Sequence, residues 1–201
     1  HVLHTTALRH IVLTVAVTLL VVGFSETLVY AVVGQGLRRP PSFLGVLSSV
    51  QGIGAIAGGL TASPTLRRIG DARTIALGIG LFALGSLLLM SGTLVVVLAG
   101  FLVAGAGLPW VVVGFGTALQ RRTPARLQGR VYSAADTMVS MPQTVSIALG
   151  AALSTVVDYR ILIAVMATVM LGCAAFLFTR RVDVAAPYGP IITTSTAPAG
   201  T

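Results

Sequence analysis

The chain has 201 residues, of which 55% are apolar and only 9% charged, with 23 glycines and a formal charge of +8. An average soluble domain carries about 25% charged residues, so these few charges cannot solvate a globule made of so much apolar material. A soluble enzyme and a disordered chain are both excluded, and the sequence reads as an all-α integral membrane protein.

A membrane-crossing helix needs about 20 mostly apolar residues, and the arginines mark where crossings stop. One crossing fits at 11–33, between Arg9 and Arg38, with Glu26 as its one charge. A second fits the uncharged stretch at 42–64. The uncharged run from Thr74 to Gln120 is too long for one span and breaks at Ser91-Gly92-Thr93, a turn-forming cluster. It predicts helices at 74–91 and 93–119, a hairpin that brings Arg73 and Arg121 to the same side. A fifth helix is predicted at 127–157, with Asp136 inside it, and a sixth at 161–178. The last segment, 183–201, is rich in Pro, Thr and Ala and reads as a disordered tail. Cys173 is the single cysteine, so no intrachain disulfide can form.

Six crossings place Arg9, Arg67, Arg68, Arg73, Arg121, Arg122, Arg126, Arg130, Arg180 and Arg181 on one side, and only Arg38, Arg39 and Arg160 on the other. The positive-inside rule makes the richer side cytoplasmic. Both termini are therefore expected in the cytoplasm of a multi-pass cell-membrane protein.

Polar residues inside spans face protein or a water-filled cavity, because facing lipid is costly. The third and sixth spans hold little that is polar beyond Ser86, Thr168 and Cys173. The other four hold Glu26, Gln51, Trp110, Asp136 and Gln143. The first, second, fourth and fifth helices are thus expected to line something polar, with the third and sixth against lipid. Glu26 lies roughly 24 Å along the first helix from Arg9. It is a candidate for coupling to proton movement or to a cationic substrate; the alternative is a protonated acid in one interhelical hydrogen bond. Asp136 lies roughly 9 Å beyond Arg130 and is either a gating residue or an acid near the positive end of its helix. Gln51 and Gln143 suit interhelical hydrogen bonds or substrate contacts. Pro109-Trp110, after Gly105 and Gly107, predicts a kinked fourth helix, with Trp110 as a cavity wall or as packing at the kink.

Gly52-Ile-Gly54-Ala-Ile-Ala57 fits a dinucleotide fingerprint, but that motif needs a preceding strand, and here it lies within an apolar span. Gly54 and Gly58 are better read as a small-xxx-small pair for close helix approach. The sequence holds no G-x-S-x-G, P-loop or metal-ligand cluster, so neither enzyme activity, cofactor, metal nor nucleic acid is expected.

Two loops carry the most specific signals. Leu66-Arg67-Arg68-Ile69-Gly70-Asp71-Ala72-Arg73 joins the second and third helices. Arg121-Arg122-Thr123-Pro124-Ala125-Arg126-Leu127-Gln128-Gly129-Arg130-Val131 leads into the fifth. On these loops and the six spans, the chain resembles the C-terminal half, helices seven to twelve, of a major facilitator superfamily transporter. The Pro124–Val131 segment is similar to the enterobactin-exporter-like and multidrug-efflux branch. The resemblance implies alternating access around a midplane site, with Glu26 and Trp110 at the central cavity and Gln51, Asp136 and Gln143 flanking it. It also implies a cytoplasmic gate holding Arg67, Arg68, Gly70, Asp71, Arg73, Arg126, Gly129 and Arg130. Asp71 departs from the signature by following the glycine, and Arg67 stands where the signature has an acid. The implied partners are the lipid bilayer, a missing N-terminal six-helix half, a small-molecule substrate and the proton as coupling ion. The implied function is proton-coupled export of hydrophobic or amphipathic small molecules, such as drugs or siderophores. A six-helix assembly component or inert truncated remnant, without transport of its own, is the alternative.

Overall fold

The computed structural model describes residues 6–122, 128–154 and 156–179, and all the regular structure among them is helical. The six helices are α1 (Thr6–Ala31), α2 (Leu44–Ile69), α3 (Asp71–Leu88), α4 (Leu94–Arg122), α5 (Gln128–Leu153) and α6 (Tyr159–Thr179). The 183–201 tail and Arg126 lie outside the described residues.

Local chemistry moves several boundaries from their predicted places. The first helix continues past 33 through a wide π-type turn, Val32–Gly36, closed by Leu37 N–H donating to the Val32 carbonyl. The second does not stop at 64: α2 runs through Pro64 to Ile69. Its last turns stay helical because Ala62 and Leu66 remain buried against the bundle, and a missing proline N–H is tolerated where neighbours hold the helix. Pro109 likewise lies inside a continuous α4. The fifth helix ends at Leu153, short of 157, where Val156 and Val157 N–H groups both turn back to the Leu153 carbonyl. The sixth starts at Tyr159, two residues early, because the Asp158 side chain accepts from Arg160 N–H at 2.8 Å. That is helix N-terminus chemistry, with an acid satisfying an orphan donor.

Helix pairing gives two layers. α4 packs on α2 and α3, α1 packs on α5 and α6, and α3 packs on α6. A front layer therefore runs α2, α4, α1, α5, with α3 and α6 behind it. The principal pairings repeat when α1, α2 and α3 are exchanged for α4, α5 and α6: α4 with α2 and α3 corresponds to α1 with α5 and α6, though α3 meets α4 more extensively than α6 meets α1. An odd number of antiparallel helices per unit makes such repeats inverted, a frequent device of secondary transporters.

Glycines let the layers close. A Cβ on Gly54 would fall on the Leu102 carbonyl oxygen, one on Gly58 on that of Ala106, and one on Gly105 on that of Gln51. This is the close approach foreseen for the Gly54/Gly58 pair, realised between α2 and α4. Gly78 and Gly107, and Gly85 and Gly100, meet in the same way between α3 and α4.

The exposed faces differ in kind. α3, buried on its α4 and α6 sides, leaves open a narrow stripe with Leu77 and Leu84, and α6 exposes Ile161, Val165, Val169, Leu171, Phe176 and Phe178. Both faces suit lipid. α2 is buried only along the line Leu47, Gly54, Gly58, Ala62 and Leu66. α5 exposes Ser133, Asp136, Thr137, Ser140 and Thr144, which share one helical face. Among the described residues, five helical segments have the length and apolarity of membrane spans; α5, with its polar face, is the helix not among them.

Arginines collect at two opposite ends. At one, Gly70 (φ 83°) makes the tight turn from α2 to α3, beside exposed Arg67 and Arg68. At the other, the turn at Gly92 lies close to both the Arg160 guanidinium and the Gly36 carbonyl, so three connections converge there.

Candidate functional site

The site forms where α1 and α4 diverge in the middle of the front layer. Two cavities follow this seam. The first, about 70 Å³, has Glu26 and Gln51 among its lining residues. Its floor passes between α1 and α4 to Phe82 and Ser86 on α3 and to Ile163 and Met166 on α6. The second, about 210 Å³, is bounded by Val15 and Leu19 of α1, Val111 and Phe115 of α4, and Tyr132 and Asp136 of α5. Leu108 belongs to both and stands between them.

Helical spacing explains the alignment. On α1, Val15, Leu19, Val22 and Glu26 follow one another at intervals of three and four, so they form a single stripe facing the seam. Leu108, Val111 and Phe115 do the same on α4. Both cavities are walled mainly by apolar side chains, and each holds one carboxylate. The described residues give the Glu26 carboxyl neither a hydrogen-bond nor an ion-pair partner.

Glu26 and Gln51 are thus brought to one cavity, and Asp136 to its neighbour. Gln143 lies elsewhere, against α1: a Cβ on Gly23 would sit 2.7 Å from its carbonyl oxygen and 2.9 Å from its Cγ. One turn on, the Ser146 hydroxyl donates to the Leu20 carbonyl, tying α5 to α1. Trp110 lines neither cavity. Its indole N–H donates to the Gly58 carbonyl at 3.0 Å and approaches Thr61 Oγ1 at 3.2 Å, so it pins α2 to α4.

At the arginine-rich end, Asp71 opens α3 and pairs with Arg121 at the end of α4, 3.4 Å apart. The hairpin does bring the two ends of this uncharged run together, but the ionic partner of Arg121 is Asp71. Arg73 instead lies over the Phe178 ring of α6 at 5.9 Å. Gly129 is exposed on the first turn of α5, next to Arg130.

The sequence profile of the Major Facilitator Superfamily matches residues 11–195, a span that takes in both cavities and all six helices except the first five residues of α1. The chain belongs to the major facilitator superfamily. Comparison with curated proteins and with solved structures gave no match. Facilitator members are membrane transporters, not enzymes, and this chain has their helical membrane fold.

Sequence reasoning missed the facilitator's deep wall. Phe82, Ser86, Ile163 and Met166 lie on the two helices assigned to lipid, and nothing in their local pattern marks them. Only Ser86, a polar residue within the largely apolar α3 span, hinted at an interior. Leu108 was equally silent, being one leucine in an apolar run.

Proposed function

We propose that this chain is the C-terminal six-helix half of a proton-coupled exporter of hydrophobic or amphipathic small molecules. The observation that carries this reading is the Glu26 carboxyl, without a partner among the described residues, at an apolar cavity on the α1–α4 seam. Alternating access needs a site that two half-bundles can expose in turn, and the seam occupies the centre of the front layer.

The open faces of α2 and α5 support a second six-helix half in front of that layer. A polar stripe of Ser133, Asp136, Thr137, Ser140 and Thr144 facing lipid would be costly, whereas facing protein or a water-filled cavity it is not. In this reading α5 crosses the membrane as the sixth span. The arginine-rich end faces the cytoplasm of the cell-membrane protein by the positive-inside rule, with both termini on that side. The Gly70 turn, the Asp71–Arg121 pair, Arg67, Arg68 and Arg73, and the Arg126–Arg130 segment then form the cytoplasmic gate. Glu26 carries the proton, Gln51 orients ligand beside it, and Asp136 serves the inner cavity.

The test is efflux of an amphipathic fluorescent dye from cells expressing the chain with its partner half, under an imposed pH gradient. Glu26→Gln is expected to abolish the dependence of efflux on the gradient. Unchanged pH-driven efflux in this variant would remove the coupling role.

A further inference from the structure

The Glu26 cavity does not stop at the seam. It enters the bundle, and its deep wall is built from back-layer side chains that are almost completely buried: Phe82 and Ser86 at 6%, Ile163 at 2% and Met166 at 5% exposure. Such a recess lies inside one six-helix half, apart from any space shared between two halves. Its mouth is polar, with Glu26 and Gln51, and its described lining contains no basic side chain.

We infer that this recess is a binding pocket for one short alkyl group of a cationic amine, whose ammonium rests on the Glu26 carboxylate. The inference deepens the transport reading by assigning a substrate class to the same carboxylate. Charge complementarity selects the cation, because an anion would meet an acid with no compensating base. Size selects the group. A dry cavity of about 150 Å³ accepts a benzene ring, so a recess of about 70 Å³ admits about half of one, or roughly three carbons. Ser86 does not compete for the ligand's polar end, since its hydroxyl donates to the Phe82 carbonyl at 2.9 Å. The floor is therefore apolar in effect, and among the described residues the ligand's one ionic anchor is at the mouth.

The experiment measures equilibrium binding of n-alkylammonium ions, from ethyl to hexyl, to the 201-residue chain in zwitterionic phospholipid nanodiscs, with empty discs subtracted. Affinity is expected to rise about fourfold per methylene up to about propyl and then to level off. Met166→Ala, which removes three heavy atoms from the floor, moves that break to longer chains. Ser86→Leu fills the recess and reduces propylammonium to the ethylammonium level; Ile163→Phe is the second filling variant should the first fail to fold. Glu26→Gln weakens propylammonium about tenfold, the difference between a charge-assisted and a neutral hydrogen bond, and leaves 1-propanol unchanged. A break at the same chain length in Met166→Ala and wild type overturns the inference. So does equal weakening of amine and alcohol by Glu26→Gln. Binding needs no transport, so failure here leaves the exporter reading standing, whereas pH-independent efflux with intact amine binding removes only the coupling.

Discussion

Replacing Gly58 by alanine tests how α2 is held to the bundle. An added methyl would fall on the Ala106 carbonyl oxygen and lie 2.8 Å from both the carbonyl carbon and Cα of Ala106. All three are backbone atoms, so no side chain can swing aside, and α2 must retreat by roughly half an ångström or more. A gap of that size forfeits about a quarter to a half of the dispersion well for each atom pair it opens. α2 touches the rest of the bundle along one line that runs through Gly58, so no second contact face compensates. Overpacking of this kind costs about 1–3 kcal/mol. Gly59, the next residue, has nothing within 4 Å of its Cβ position, and Gly59→Ala is expected to be neutral or slightly stabilising through better helix propensity. The chain has a single tryptophan, and its indole N–H bonds the carbonyl of Gly58 itself. Trp110 emission therefore reports this contact directly. Thermal unfolding in detergent, followed by that emission, should show a lower midpoint and an altered native spectrum for Gly58→Ala only. Equal midpoints for the two variants would refute the close-contact account.

Two further perturbations address other contacts. The Asp71–Arg121 pair is 3.4 Å long, with the arginine side chain 56% exposed and the aspartate 10%, so solvent reaching the guanidinium keeps the coupling at about 1 kcal/mol; a double-mutant cycle with Asp71→Asn and Arg121→Gln measures it, and a coupling of several kcal/mol would contradict screening at the guanidinium. Ser146→Ala removes the hydroxyl that α5 donates to the Leu20 carbonyl. A loss of about 0.6 kcal/mol is expected, typical of interhelical hydrogen bonds in membranes, measured by the same unfolding assay, with no loss at all for the exposed Ser140→Ala.

The sequence alone determined that this is a helical membrane protein, roughly where its turns fall, and which residues inside its spans are too polar for lipid. These features are one-dimensional: apolar run length, arginine spacing and glycine clusters are properties of contiguous residues, and the bilayer imposes the same rule on each helix independently. Glu26 and Asp136 stood out for the same reason, as charges where the solvent is hydrocarbon. Helix boundaries were less legible: the uncharged stretch suggests an end near 64, and the burial of Leu66 against neighbouring helices is what carries α2 on to Ile69. The recess, the shared wall at Leu108 and the partner of Trp110 were decided by tertiary structure. Each depends on residues from two or more helices meeting at one depth, and an apolar side chain has the same local pattern whether it faces lipid, a neighbour or a cavity. Trp110 could line a cavity or pack at a kink by its sequence; a carbonyl on α2, within hydrogen-bond distance only because Gly58 has no side chain, settled where its indole points.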